Sequence, residues 1–508
     1  MIKLTIDGKL IEVEEGLTIL EAAKRLGINI PHFCYHPALS IAGNCRMCAV
    51  EVEGQSKPVM SCREPVKDGM AVHTTSSMAL DLRRSVLEFM LINHPIDCPV
   101  CDQSGECLLQ DYYFEHSLGP SRFGEEKVRK PKAVRIGPNV MLDAERCIEC
   151  TRCIRFCEEI TKTNELTMEL RSDDSKITVF KRHALDNPYS LCTVDLCPVG
   201  ALTSSDFRFK KRVWFLTSSP SICNSCATGC NILIDHHDNI VYRYRPRENT
   251  EINGPWLCDE GRLSYKKINA ENRLLFPYVV ADGKHKRVSW GEALIHIAGL
   301  IRSLKSHEIA GILSARSTVE ENEAFAAFLR DVIKTPNIYW SGLDPDLNFA
   351  DRLLRDSDRN PNTKGVTAIT QNRLDKTAKA RGYFILDWLT NEELTSTITS
   401  KPDWVVLITS HLSLPLCKPV PSEVEGGEPE GVDRYSEQSL PSLTLPYKGR
   451  GLSCVLLPKA TFAEQAGTFV NRKGMRQRFE MAIEPRGETL SAVDIAGKLS
   501  ECVIARSP

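Results

Sequence analysis

Long apolar runs are missing from this 508-residue chain, and so is any surplus of charge. No stretch approaches the ~20 apolar residues needed to cross a bilayer, so a membrane span is not expected. A formal net charge of −2, with 26% charged residues, gives no electrostatic reason to expect nucleic acid or an anionic membrane as the main partner. The opening MIKLTIDGKLIEVEEG has no basic stretch followed by an apolar one, so a Sec-type signal is not expected and the chain reads as intracellular. A glycine-rich dinucleotide fingerprint after a strand is absent too. Cysteine itself is scarce in one half: only Cys417, Cys454 and Cys502 follow Cys258.

The other half holds the rest of the 20 cysteines, 15 of them in four compact groups. In a reducing compartment such grouping reads as metal ligation rather than a disulfide framework. Thiolate softness suits zinc and iron–sulfur clusters alike, so spacing must separate them. The length predicts several domains, roughly three to five, of mixed α+β and α/β character.

The start reads as a β-grasp-like unit. Ile2, Leu4 and Ile6 alternate, Asp7-Gly8 turns, and Leu10–Val13 returns as a hairpin. The spacing predicts a helix from Leu17 to Leu26, ended by Gly27, then a strand at Ala49–Glu53. A second helix is predicted over Met78–Asn93, with Leu80, Val86, Leu87, Met90 and Leu91 on one face. Residues 118–140 read as a connector. Beyond Glu271 the texture turns to longer α/β patterns, with Ser289 as a helix N-cap. Residues 417–452, rich in Pro, Gly, Ser and Glu, read as a linker, and Ser453–Pro458 as a buried strand. The expected domains are 1–78, 79–118, 138–215, 216–272 and 273–508.

The first ligand set is Cys34, Cys45, Cys48 and Cys62. One isolated cysteine, a C-x-x-C and a distant fourth is the plant-type [2Fe–2S] arrangement with a longer first gap. It needs a loop whose N–H groups turn toward sulfur, and Gly43 supplies the freedom; a structural zinc site is the alternative. The second set is His94, Cys98, Cys101 and Cys107, in HPIDCPVCDQSGEC. Three thiolates and an imidazole also suit zinc, but the place of His94 just ahead of a C-x-x-C favours a [4Fe–4S] ligand. The third set, Cys147, Cys150 and Cys153 with the remote Cys197-Pro198, has the ferredoxin pattern for [4Fe–4S]. Cys157 and Cys192 cannot complete another cubane and are expected to be small buried residues. The fourth set, Cys223, Cys226, Cys230 and Cys258, suits a third [4Fe–4S], with a zinc ribbon as its alternative. One [2Fe–2S] and three [4Fe–4S] clusters follow. No acid–base pair stands beside them, so the pattern predicts a wire without a catalytic site.

GNCRMC, HPIDCPVCDQSGECLLQD, ERCIECTRCIRFC and CPVGALTS resemble the large iron–sulfur subunit of NADH–quinone oxidoreductase, the 75 kDa or G-type family. The resemblance covers residues 1 to about 270 and implies a β-grasp [2Fe–2S] domain, a His/Cys cluster domain and a ferredoxin-like 4Fe–4S domain. The Cys223–Cys258 set is similar to an extra cluster of some bacterial members. ENRLLFPYV, RVSWGEALIHIAG and TFAEQAGTFVNRKGMRQR resemble, more weakly, a molybdopterin-oxidoreductase fold, here shortened. No cysteine lies between Cys258 and Cys417 to ligate molybdenum, so no molybdopterin is expected. The resemblance implies a flavin-bearing, NADH-oxidising partner, other peripheral-arm subunits of complex I and indirect membrane association. It places the chain on the cytoplasmic side of the inner membrane. Two other readings are the diaphorase-linked subunit of an NAD-dependent hydrogenase or formate dehydrogenase, and a redox-silent zinc scaffold.

Overall fold

The structure, a computed structural model, describes every residue except 118, 171, 181–182, 282–283, 376–378, 388–401, 412–452 and 506–508. The expected 417–452 linker and Cys417 therefore lie outside the described residues. The chain forms two compact units, Met1–Leu216 and Thr217–Pro508.

In the first unit, β1 (Ile2–Ile6) and β2 (Lys9–Val13) form the expected hairpin. Its turn requires positive φ, 49° at Asp7 and 76° at Gly8, which glycine adopts without strain. Helix α1 (Ile19–Arg25) starts in a capping box: Thr18 and Glu21 satisfy each other's backbone N–H groups. The strands β3 (Ala49–Val52), β4 (Val59–Met60) and β5 (Ala71–His73) complete a sheet ordered β2-β1-β5-β3-β4, with β1 and β5 parallel. A helix over a mixed sheet of this order is the β-grasp arrangement. Its core gathers Leu4, Ile6, Val13, Ile19, Val50 and Val72, and includes Cys48 and Cys62.

Helix α2 (Ser77–Asn93) is capped by Ser76. The sequence pattern predicts an apolar face, but the fully buried stripe is Ala79, Arg83 and Leu87, an i, i+4, i+8 row with an arginine at its centre. The reason is local: Arg83 donates to the Ala49 carbonyl at 2.9 Å, which offsets part of the cost of burying its charge. Helix α3 (Leu108–His116) follows the second cysteine turn.

The third segment contains β6 (Val134–Arg135), β7 (Val140–Leu142), the short helix α4 (Arg152–Arg155), the hairpin β8 (Leu166–Glu169) and β9 (Lys176–Val179), α5 (Cys192–Leu196) and β10 (Leu202–Ser204). Helix α4 widens into a π-helical turn at Phe156–Ile160. Cys157 and Cys192 are both fully buried, as their lack of a ligand pattern suggested.

The second unit opens with an antiparallel meander of β11 (Thr217–Ile222), β12 (Asn231–His237) and β13 (Ile240–Pro246), then α6 (Asp259–Leu263). Its main body is a seven-stranded sheet. The antiparallel edge is β14 (Tyr278–Ala281) and β15 (Lys284–Arg287). The other five strands, β16 (Ile309–Ser314), β17 (Asn337–Ser341), β18 (Gly382–Leu386), β19 (Trp404–Thr409) and β20 (Ser453–Pro458), run parallel in the order β17-β16-β18-β19-β20. β16 and β18 are buried along their whole length, as expected of parallel strands covered on both faces. Helix α7 (Trp290–Arg302) begins at Ser289 in a capping box with Glu292. Among the described residues no helix is long and apolar enough to cross a membrane.

Candidate iron–sulfur ligand sites

The first set converges between β-grasp sheet and loop. Cys34, Cys45, Cys48 and Cys62 are all buried. Thiol–thiol hydrogen bonds join Cys34 to Cys45 and Cys62, and Cys48 to Cys62. Their acidities separate as those of neighbouring groups must: Cys34 and Cys48 are pulled down by the thiols that donate to them, Cys48 to about 7, while Cys45 and Cys62 are pushed up. The loop N–H groups do turn inward. Those of Asn44 and Cys45 reach the Cys34 sulfur, and the Cys34 N–H lies 3.5 Å from Cys45 Sγ. Gly43 makes the turn at φ +63°.

In the second set His94 caps the C-terminus of α2. Burial pushes its imidazole down to about 4, so at neutral pH it carries a free lone pair. Its Nδ1 is buried without a hydrogen-bond partner, as a ring nitrogen reserved for a metal would be. Asp97 clamps the following turn to the third segment through Arg146, at 2.7 and 3.1 Å. Cys107 is the N-terminal cap of α3, and burial pushes its thiol up to about 11. Arg212 donates to the Cys101 carbonyl at 2.6 Å.

The third set lines a single cavity. Cys147, Cys150, Cys153 and Cys197 face it together with Leu142, Ile148, Ile177, Val199 and Arg152. Burial raises all four thiols, Cys150 to about 11. Such sulfurs ionise only when a metal takes the proton's place. Three backbone N–H groups, of Val199, Ala201 and Leu202, point at Cys197, which suits a thiolate rather than a thiol.

The fourth set sits in the second unit, at the end of the β11–β12 pair. Cys223 N donates to the Cys230 carbonyl at 2.8 Å, and Cys258 caps α6 with its sulfur 3.3 Å from Gly261 N. A Cβ at Gly261 would lie 3.1 Å from Cys223 Sγ and 3.2 Å from Cys258 Sγ, so glycine is what lets α6 approach both sulfurs. All four cysteines are buried, and burial pushes Cys223 up to about 11.

Among the described residues no group of three or more His, Cys, Asp or Glu closes tightly enough to hold a single metal ion. The donor chemistry fits the larger sulfide-bridged groups: buried thiols, an apolar cavity at the third set, N–H groups turned toward sulfur at the first and third, and a spare imidazole nitrogen at the second. Sequence reasoning missed the cross-chain supports. Gly200, just past Cys197, would place a Cβ 2.3 Å from Cys101 Sγ, and Arg83, Arg152 and Arg155 are buried beside the first and third sets. The arginines in CTRCIRFC were the one available signal.

A protein with these sites in these folds is a multi-cluster iron–sulfur protein. Residues 1–77 match the 2Fe-2S iron-sulfur cluster binding domain, and residues 83–122 the NADH-ubiquinone oxidoreductase-G iron-sulfur binding region. Residues 137–203 match the ferredoxin-like domain of NADH-quinone oxidoreductase subunit 3, 216–270 the molybdopterin oxidoreductase Fe4S4 domain, and 452–502 molybdopterin oxidoreductase. The chain is similar to the 75 kDa, or G-type, subunits of NADH-quinone oxidoreductase. It is 47% identical to the G-type subunit of the NADH-quinone oxidoreductase of Rickettsia felis over 320 residues, 63% of this chain and 47% of the relative. It is 40% identical to the 75 kDa subunit of the NADH-ubiquinone oxidoreductase of Reclinomonas americana over 352 residues, 69% and 50% of the two chains. With the mitochondrial NADH dehydrogenase iron-sulfur protein 1 of Solanum tuberosum the identity is 40%, over 67% and 46%. The chain thus spans about half the length of these relatives. A solved NAD+-reducing [NiFe]-hydrogenase chain is 30% identical over 42% of this chain and 91% of its own, with a TM-score of 0.37.

Proposed function

We propose that this chain is the iron–sulfur electron-transfer subunit of an NADH–quinone oxidoreductase, passing electrons from a flavin-bearing, NADH-oxidising partner toward quinone. In this reading Cys34, Cys45, Cys48 and Cys62 hold one [2Fe–2S] cluster. Three [4Fe–4S] clusters are held by His94, Cys98, Cys101 and Cys107; by Cys147, Cys150, Cys153 and Cys197; and by Cys223, Cys226, Cys230 and Cys258. When bound, such clusters supply one-electron carriers whose potentials depend on burial, net charge and hydrogen bonds to sulfur. The segments 1–78, 79–118, 138–215 and 216–272 each carry one set, and 273–508 is a scaffold without molybdopterin. The chain acts in the peripheral arm, at the cytoplasmic face of the inner membrane, and reaches the bilayer only through partners.

The observation that carries this reading is a shared core. Cys34, Cys45 and Cys150 pack in one apolar cluster with Phe33, Leu87 and Tyr112, and Cys107, Cys147 and Cys197 lie against it. Ligands of three sets thus touch a common, buried apolar body, which is what successive electron hops require. The protein's part is to exclude water, neutralise charge with buried arginines and hold the sets at fixed spacing.

The test has two parts. Iron, acid-labile sulfide and low-temperature EPR on the anaerobically purified chain should reveal all four clusters; a colourless zinc protein would overturn the reading. Cells lacking the chain should lose NADH-to-quinone transfer while a flavin fragment keeps NADH-to-ferricyanide activity. Co-purification with a hydrogenase or formate dehydrogenase catalytic subunit, in place of membrane subunits, would reassign the chain.

A further inference from the structure

Arg152 and Arg155 lie on α4 between third-set cysteines, and each is only 7% exposed. Both reach out of their own segment into the loop that carries the first set. Arg155 Nη2 donates to the Cys34 carbonyl at 2.5 Å and to the Cys150 carbonyl at 3.4 Å, its Nη1 donates to the Ser40 carbonyl, and its Nε donates to Thr151 Oγ1 at 3.2 Å. Arg152 Nη2 donates to the Tyr35 carbonyl at 2.6 Å and its Nη1 to the Leu196 carbonyl at 3.3 Å. Each guanidinium therefore grips one carbonyl at or beside Cys34 and one at or beside a third-set ligand. The same seam is fixed by Ser40 N on Glu159 at 2.8 Å and Asn44 Nδ2 on the Glu149 carbonyl at 3.1 Å.

Two features set these arginines apart from structural ties. Among the described residues their acceptors are carbonyls and one hydroxyl, with no carboxylate, so two buried positive charges lack an ionised partner. Buried cations without an anion are strongly disfavoured. In addition, Arg152 lines the cavity of the third set, and its Nε–H is buried with no acceptor at all. A planar guanidinium that has placed both Nη groups on carbonyls cannot turn this N–H elsewhere.

We propose that Arg152 and Arg155 form a cationic bridge that sets the reduction potentials of two iron–sulfur sites together. Arg152 donates its remaining Nε–H to a sulfur of the group held by Cys147, Cys150, Cys153 and Cys197. The two charges stabilise an electron added there or at the group held by Cys34, Cys45, Cys48 and Cys62. This rests on the cluster reading above. Each reduction adds one electron from an external reductant, with no covalent bond made or broken. The added negative charge falls beside fixed positive charge in a medium of low dielectric, where Coulomb attraction is strong.

The test is an EPR-monitored redox titration of the full, cluster-loaded chain, with iron and sulfide measured on each sample. R152Q should lower the third-set [4Fe–4S] reduction equilibrium about tenfold, a midpoint shift of about 59 mV for one electron. The [2Fe–2S] midpoint should move the same way. R152K keeps the charge but not the planar N–H, so it should restore the [2Fe–2S] midpoint and leave the [4Fe–4S] one low. Fully loaded R152Q with both midpoints unchanged overturns the bridge. Should R152Q not load, R155Q should lower both midpoints and R152K the [4Fe–4S] one alone; a loaded R155Q with both midpoints at the wild-type value, or a loaded R152K with a wild-type [4Fe–4S] midpoint, overturns it equally. A wild-type chain without acid-labile sulfide fails the cluster reading instead.

Discussion

Replacing Gly200 by alanine tests how closely the second and third ligand sets interlock. Gly200 has no positive φ to defend, so alanine is conformationally admissible and the substitution isolates one contact. The new methyl would stand 2.3 Å from Cys101 Sγ and 3.1 Å from Gln103 Cβ. Carbon and sulfur in ordinary contact need well over 3 Å, so about an ångström or more must be yielded. Overpacking of this kind costs about 1–3 kcal/mol, partly offset by the ~0.4–1 kcal/mol that Gly→Ala gains through the unfolded chain. The net cost is far below the stability of a domain this size, and the cheapest escape is rotation of the Cys101 side chain away from its site. G200A should therefore fold normally and lose one cluster. Iron and sulfide analysis should find about four of each missing, and low-temperature EPR should show the [2Fe–2S] signal intact with one [4Fe–4S] signal gone. Circular dichroism serves as the folding control. Full iron content with every signal unchanged would refute the assignment of Cys101 as a ligand.

Cys45→Ser should remove the [2Fe–2S] signal alone, because Cys45 bonds within the first set; an unchanged EPR spectrum would count against that set. Arg273→Met should destabilise the second unit by about 3 kcal/mol, since it takes the paired guanidinium, at 2.7 and 3.2 Å, from the 2% exposed Glu464 and leaves that carboxylate to Thr461 and the Arg486 N–H. A urea transition at the wild-type midpoint would contradict this. His411 is held neutral by burial, with its acidity moved from 6.5 down to about 4. As pH falls below about 6.5 the unfolded chain takes up a proton that the folded one refuses, so stability falls with pH by about 1.3 kcal/mol between pH 7.5 and 5.5. His411→Gln should flatten that part of the urea-midpoint profile, and an equally steep profile in the variant would exclude His411 as its source.

Much of this was legible in the residues, for reasons that differ from site to site. Ligand sets are local in sequence because a metal-binding loop is short, so spacing alone gathered Cys34 with Cys45 and Cys48, and Cys147 with Cys150 and Cys153. Ser289 announced its helix because an N-cap sits in the first turn it caps, whereas the equally local box of Thr18 and Glu21 starts α1 at Ile19 and not at the expected Leu17. Arg83 was not legible, since a periodicity argument counts apolar residues and cannot foresee that an arginine finds the Ala49 carbonyl from inside the core. The closeness of Gly200 to Cys101 was invisible for a different reason: 99 positions separate them, and only packing brings them together. The strand order β17-β16-β18-β19-β20 likewise depends on crossovers whose sides no local pattern fixes.

The two units hold their ligands by different means, and this bears on which sites depend on one another. In the first unit Cys34, Cys45 and Cys150 are members of one apolar core, reached by Cys107, Cys147 and Cys197 at its edge. Protein interiors are close-packed and transmit small displacements rather than absorbing them. A change that loosens Leu87 or Tyr112 in that core therefore reaches three sites at once, while carbonyls gripped by Arg152 and Arg155 keep two of them in register. The fourth set lies in the second unit. Cys223 and Cys230 are paired across the β11–β12 strands and Cys258 is fixed by its own helix cap, so its geometry follows from a hairpin and one glycine. Shared packing makes the first three sets respond together, whereas the fourth answers to its own hairpin and helix cap.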